Sequence, residues 1–378
     1  MSSPSDTAFT ALRACVARED IEAVVAVLKS GAVGAGREVE RFETALGRAL
    51  GAPHATVVAS TTAAFQLACQ ALGVGPGRVV WMAASAPFAA AAAVQGCGGE
   101  LVFLDVERAS GNLDVRACEQ RLAAGEVPHV LIASHAAGLP CDLEWLLGLK
   151  RRHDFALLED ASEALGARLR VGGRRLRVGE HPEVEASVFS FDVGALVTTG
   201  RGAAVTTHDA ARAERLRRLR GPGSEGAAPR ELGHDCALSD LLAALGASQL
   251  EKLPELAGAR REQALRYLAE LRGFGLPQTC AQAGKDHAWH AFWIECEPGE
   301  RAALLAHLAE RHVRTELPRA PLASEPWFVG RGSARPCPNA EARARCALGL
   351  PLAPSLSHAD QGRVIAALAE WRGLREAA

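Results

Sequence analysis

The sequence predicts an α/β protein with two parts. The first is a large domain over residues 1–254, built on a mostly parallel central sheet. The second is a smaller α/β domain over residues 255–378. Three observations carry this reading. Short apolar strands alternate with helical patterns of ten or more residues through about residue 207, the signature of βαβ units. A chain of 378 residues is too long for one small core. From His287 the texture changes to shorter segments interrupted by a loop rich in Gly, Pro and Arg at 330–338.

Taken in order, residues 8–30 read as helical, and a second helix opens at Glu38, with Phe42, Leu46 and Leu50 on one side. The strand Ala55–Ala59 leads through Ser60-Thr61-Thr62 into an apolar helix from Ala63 to Leu72. Small hydroxyl residues between a strand and a helix N-terminus fit two roles. They can cap the helix alone, or they can help its free N–H groups hold an anion. Alternation continues through the strands Gly77–Met82, Leu101–Asp105, Val127–Ala133 and Phe155–Asp160, with a helix from Leu143 to Arg152. Phe189-Ser190-Phe191 reads as a strand end, Thr198–Gly202 as a glycine turn and Ala203–Thr207 as a strand. A polar loop begins at Gly221, and helices follow over Leu238–Leu253 and Leu256–Leu271. Beyond His287 we expect a strand at Trp289–Ile294 and helices at Arg301–Arg311 and Asp360–Leu374. Parallel sheets bind ligands beyond the carboxyl ends of their strands, so one cleft can collect Thr62, Asp160 and Ser190.

Composition narrows the function. A formal charge of −2 offers no electrostatic case for nucleic acid or an anionic membrane. The arginine clusters at 168–177 and 212–220 read as solvated helix and loop faces. No apolar run reaches a spanning length, since Ala83–Val94 is broken by Pro87, and the N-terminus lacks a signal-peptide pattern. Ten cysteines without a C-x-x-C pair indicate reduced thiols in a cytoplasmic protein and no metal site.

Four segments, spread in order over nearly the whole chain, resemble the DegT/DnrJ/StrS sugar aminotransferase family. Gly36–Glu43 is similar to its G-x-x-V-x-x-F-E, and Ser60–Phe65 to S-G-T-A-A-L. Glu159–Ala167 is similar to E-D-A-A-Q-A-x-G-A. Leu238–Ala244 with Gln249-Leu250 is similar to L-S-E-x-x-A-A followed by Q-L. The resemblance implies the pyridoxal-phosphate (PLP) transferase type I fold and a homodimer acting on nucleotide sugars. It places Asp160 against the pyridine nitrogen and Glu163 near the ring hydroxyl. It puts Thr61, Thr62 and Ser190 at the phosphate, and Phe88 either stacked on the ring or in the core.

The stretch Ser190–Gly202 resembles the family's cofactor loop, in which a lysine forms the Schiff base. Here Ala195 stands at that position, and the four lysines, Lys29, Lys150, Lys252 and Lys285, all lie outside the loop. The same lysine serves as proton shuttle, so its loss removes both anchor and base. In Gly233–Ala237 the family's G-x-N-x-R becomes Gly-His-Asp-Cys-Ala, so the partner subunit would bring Asp235 towards the phosphate. The expectation is therefore a lysine-less homologue that binds a sugar nucleotide or related small molecule without transaminating. PLP would be held non-covalently and weakly, if at all. The alternative is a working sugar aminotransferase whose lysine was replaced by alanine to trap a covalent cofactor–substrate adduct.

Overall fold

The computed structural model describes residues 15–222, 231–272, 285–329 and 335–376. The chain opens with helices α1 (Arg18–Ser30) and α2 (Arg37–Leu50). There follow β1 (His54–Val58), α3 (Thr61–Ala71), β2 (Val79–Ala83), α4 (Phe88–Gly96) and β3 (Glu100–Leu104). Next come α5 (Val115–Ala123), β4 (Val130–Ser134), α6 (Leu143–His153) and β5 (Ala156–Asp160). A short hairpin, β6 (Arg168–Val171) and β7 (Arg174–Arg177), precedes β8 (Ala186–Ser190), β9 (Ala203–Thr207) and α7 (Ala210–Arg220). The remainder is α8 (Asp240–Glu251), α9 (Leu253–Glu270), β10 (Phe292–Glu295), α10 (Arg301–Glu310), α11 (Pro338–Cys346), β11 (Ala347–Leu350) and α12 (His358–Glu376).

Seven strands form one sheet in the order β1-β9-β8-β5-β4-β2-β3. The pairs from β8 to β3 are parallel, and β9 alone runs against its neighbours. The predicted mostly parallel sheet, holding both Val57 and Leu157, is therefore present. Its strands are largely apolar because helices cover both faces, with polar residues such as Ser134, Asp160 and Ser190 at their carboxyl ends; β4 and β8 are buried at every position. Buried apolar side chains form two clusters. The larger surrounds the sheet, and the second lies among α9, β10, β11, α10 and α12.

Side chains far apart in sequence hold α2 and α8 together. Asp240, at the start of α8, accepts the N–H groups of Gly36 (2.8 Å) and Val39 (3.0 Å) with one carboxylate oxygen. These are donors that the first turn of α2 cannot satisfy internally. A Cβ at Gly246 would lie 2.6 Å from the ring of Phe42, so only glycine lets the two helices approach this closely.

Three expectations differ from the structure. The first helix starts at Arg18, and the Asp20 carboxylate bonds the Ala17 N–H (2.8 Å) at its entry; residues 8–14 lie outside the described residues. The Arg168–Arg177 cluster is a β-hairpin whose inward positions Leu169, Val171 and Leu176 are buried. Its turn is Gly172-Gly173, both at positive φ (56° and 76°). The strand expected at Trp289 begins at Phe292, because Trp289 is left-handed (φ 53°) and cannot join a ladder. Residues 223–230 of the expected polar loop and most of the 330–338 loop lie outside the described residues. Among the described residues no helix is long and apolar enough to cross a membrane, and no acidic, His or Cys group is arranged to hold a metal.

Candidate active site

The carboxyl ends of β4, β5 and β8 and the N-terminus of α3 meet on one side of the sheet. Register brings Ser134 directly beside Asp160. Ser134 Oγ donates to Asp160 Oδ2 (2.8 Å), and Ser162 donates to Oδ1 through its hydroxyl (2.6 Å) and its N–H (3.2 Å). Burial raises the Asp160 pKa more than these three donors lower it. The next residue back, Glu159, sits on the opposite face of the strand. Its carboxylate faces His135 Nε2 at 3.3 Å and accepts Ser187 Oγ (2.7 Å). The Cys141 N–H donates to His135 Nδ1 (3.0 Å), so the ring proton lies on Nε2, towards Glu159. The His135 N–H also donates to the Asp160 carbonyl (3.1 Å), tying β4 to β5 beneath the cleft.

Above Asp160 opens a cavity of about 170 Å³, lined among others by Ser134, Asp160, Glu163, His290, Glu316 and Arg319. Glu163 is its most strongly held anion. One oxygen accepts Arg319 Nη2 (2.6 Å), the other the Ala137 N–H (2.8 Å), and His290 Nε2 lies 3.9 Å away. Burial works against the charged form, but Arg319, His290 and the Ala137 N–H outweigh it and hold Glu163 at a pKa of about 2. The His290 imidazole is moved the other way. Burial pulls it down to about 4, so it is neutral near pH 7.

The cofactor-like loop is closed by its own backbone and by α8. Ala195 N–H bonds the Asp192 carbonyl (2.8 Å), and Thr199 N–H bonds that of Phe191 (3.0 Å). Thr198 N–H donates to Gln249 Oε1 (2.9 Å), and the Phe191 ring packs 5.1 Å from that of Phe42. Ala195 faces a second cavity of only about 10 Å³, room for about one water. Ser190, Glu163, His290 and Arg260 share its lining. Arg260 is buried and donates to the Gly194 carbonyl (3.0 Å), and burial draws its pKa down to about 10. None of the four lysines lines either cavity. Lys150 is bonded to Glu185 (2.5 Å) and Lys252 to Asp20 (2.6 Å).

At the N-terminus of α3 the Thr61 and Ser190 hydroxyls lie 2.9 Å apart, and both reach Asp192 Oδ2, at 3.0 and 3.1 Å. Two hydroxyl protons serve three contacts, so this triangle of oxygens consumes its own donors. Thr62 is exposed on the first turn of α3, whose cap is the Ser60 hydroxyl on the Ala63 N–H (3.2 Å). Phe88 is half-exposed, with its ring 5.7 Å from that of Phe328; on this side the cavity is lined by Ser85 and Pro87. Asp235 is exposed and left-handed (φ 45°). Its segment runs along the end of β1, where Ala59 N–H bonds the Cys236 carbonyl (2.8 Å), and it lines neither cavity of its own chain.

The structure thus places Asp160 and Glu163 in the main cavity and Glu163, Ser190 and Ala195 in the small one, with Thr61 bonded to Ser190, and leaves Thr61, Thr62, Phe88 and Asp235 outside both linings. Sequence reasoning missed Asp192, Arg260, His290 and Arg319. A carboxylate two residues after Ser190 was a readable signal; the other three come from segments 58 or more positions beyond Gly202, the end of the loop.

The sequence profile of the DegT/DnrJ/EryC1/StrS aminotransferase family matches residues 14–369. The chain belongs to this family. It is 34% identical over 372 residues to the dTDP-3-amino-3,4,6-trideoxy-alpha-D-glucose transaminase of Streptomyces venezuelae, covering 96% of this chain and 94% of that protein. The fold matches the crystal structure of S. venezuelae DesV in complex with a ketimine intermediate, with a TM-score of 0.86 at 33% identity over 94% of each chain. It also matches the aminotransferase TlmJ from Streptoalloteichus hindustanus, with a TM-score of 0.87 at 29% identity over 96% of this chain and 99% of that one. Members of the family thus carry this α/β arrangement with a mostly parallel central sheet.

Proposed function

We propose that this family member binds a sugar nucleotide or related small molecule in the cleft and does not transaminate. The observation that carries the reading is the cofactor loop itself. Alanine stands at residue 195, no lysine lines the cleft, and the Asp192 carboxylate engages the hydroxyls of Thr61 and Ser190. The match to a dTDP-sugar transaminase supports a dTDP-linked sugar as the ligand to test first.

Pyridoxal phosphate supplies an electron sink through its protonated ring when bound. Asp160 fits that role: its carboxylate lines the cavity and could hold a proton on the ring nitrogen. The phosphate end fits poorly. Thr61 and Ser190 have their protons committed to each other and to Asp192, and an incoming phosphate would meet a like charge. With no amine at 195, the cofactor is held weakly and without a covalent bond. On this reading Arg319 and Glu163 act as a fixed pair that orients ligand in the cleft, while Ser134 and Ser162 keep Asp160 aimed. Asp235, exposed on its own chain, is the residue that a homodimer would carry to the partner's cleft.

Calorimetry with a dTDP-linked sugar should show saturable binding, while incubation with PLP, amino donor and keto sugar should yield no amino sugar. Borohydride treatment in the presence of PLP should label no lysine. Turnover, or label on Lys29, Lys150, Lys252 or Lys285 that requires the folded protein, would contradict the reading.

A further inference from the structure

We propose that His290 is the proton-transfer group of this cleft, acting on the carbon beside the keto group of a bound keto-sugar nucleotide without PLP. The proposal rests on the sugar-nucleotide reading and goes beyond it by naming a reaction and the residue that performs it.

His290 lines both the main cavity and the small one in front of Ala195, so it stands where substrate and the loop meet. Among the described residues its ring makes no hydrogen bond; its Nε2 lies 3.9 Å from Glu163 Oε1. The backbone that aims it is unusual on both sides. Trp289 and Ala137 are non-glycine residues held left-handed, at φ 53° and 56°. They face each other across two hydrogen bonds, His290 N–H to the Ala137 carbonyl (2.9 Å) and Ala288 N–H to that of Gly138 (2.9 Å). A Cβ at Gly138 would lie 2.8 Å from the Glu163 carbonyl and 3.1 Å from the His290 nitrogen, so the two segments touch at backbone distance. Strain kept at two facing positions, and spent on presenting one unbonded imidazole, is a functional pattern.

The charged groups around the ring are Glu163, Arg319 and Arg260, with His287 one turn of chain away. Burial keeps both histidines neutral near pH 7 ahead of any neighbouring charge. A neutral imidazole takes the proton from the carbon adjacent to the carbonyl. The C–H electrons form a C=C bond, and the carbonyl π pair moves to oxygen as an enolate, near the cationic side chains Arg319 and Arg343 of the cavity wall. Reversal returns a proton to carbon, so no oxidant or reductant is consumed. Of the residues that line both cavities, Ser162, Glu163 and His290, only His290 is a neutral base: Glu163 is held by Arg319, and Glu316, whose pKa burial raises, lines the main cavity alone.

The test uses the full chain, a dTDP-linked 3-keto-deoxyhexose and heavy water, with carbon-bound deuterium read by mass spectrometry and binding by calorimetry. The unaltered protein should exchange the α-proton well above the buffer rate, and His290→Gln should slow exchange roughly hundredfold or more while leaving Kd within about threefold. Because the imidazole is already neutral, exchange by the unaltered protein should be flat from about pH 6 to 8; hydroxide catalysis would climb about tenfold per unit. That profile decides the matter if His290→Gln fails to melt cooperatively. Binding without exchange, exchange untouched by His290→Gln, or a tenfold-per-unit profile overturns the proposal alone. Absence of sugar-nucleotide binding overturns the underlying reading together with it.

Discussion

Replacing Asp192 by asparagine should strengthen PLP binding about thirtyfold and leave the binding of pyridoxal, which lacks the phosphate, unchanged. The magnitude follows from where the carboxylate sits. It bonds Thr61 and Ser190 at 3.0 and 3.1 Å, so a phosphate at those hydroxyls would come within about 4 Å of it. Asp192 is exposed, so the water-like limit applies, about 1 kcal/mol per pair of unit charges at that distance. A phosphate carrying nearly two charges then gains about 2 kcal/mol when the carboxylate is neutralised, roughly a factor of thirty in Kd. Asparagine keeps an oxygen acceptor for one hydroxyl and adds N–H donors, so the cluster changes charge more than shape. Equilibrium dialysis with PLP, pyridoxal and inorganic phosphate separates the phosphate contribution from ring contacts. If PLP and pyridoxal gain equally, or neither gains, Asp192 does not oppose phosphate at this helix terminus.

Other expectations concern stability. Asp240→Ala should destabilise the fold by about 2–4 kcal/mol in urea melts, because it strands two α2 N–H groups, at Gly36 and Val39. Asp240→Asn, which keeps the accepting oxygen, should cost about half as much; equal losses would show that the capping bonds are not the cause. Glu163 has a folded pKa of about 2 against an ordinary 4.5, so its contribution is complete above pH 4.5 and is lost as pH falls through about 2. Between pH 5 and 3 that loss is about 2 kcal/mol, which Glu163→Gln should erase from the pH dependence of stability. An unchanged slope in the variant would place the acid sensitivity elsewhere. Ala195→Lys alone should give little borohydride-fixable label at residue 195 with PLP, and adding Asp192→Asn should raise it; full labelling from the single change would show that only the lysine was missing.

The sequence by itself determined the βαβ order, the parallel sheet and the strand ends at which Asp160 and Ser190 sit. These depend on hydrophobic period and on turn residues, which near neighbours impose. It also showed directly that residues 190–202 contain no lysine, which is what drew attention to Ala195. Two motif segments that read as separate, Gly36–Glu43 and Leu238–Ala244, prove to be one device, since Asp240 caps the helix that carries Phe42. The arginine-rich stretch at 168–177 misled because charge was read before alternation; burial alternates residue by residue along β6, and Leu176 is the buried position of β7, as a half-covered hairpin requires. Tertiary structure alone decided that Asp192 turns onto Thr61, that Arg260 fills the wall beside Ala195, and that His290 faces both cavities. Those pairings span 66 to 153 positions of chain or rest on two left-handed residues. No local propensity encodes them: local sterics choose the backbone period, and packing chooses which distant side chains meet.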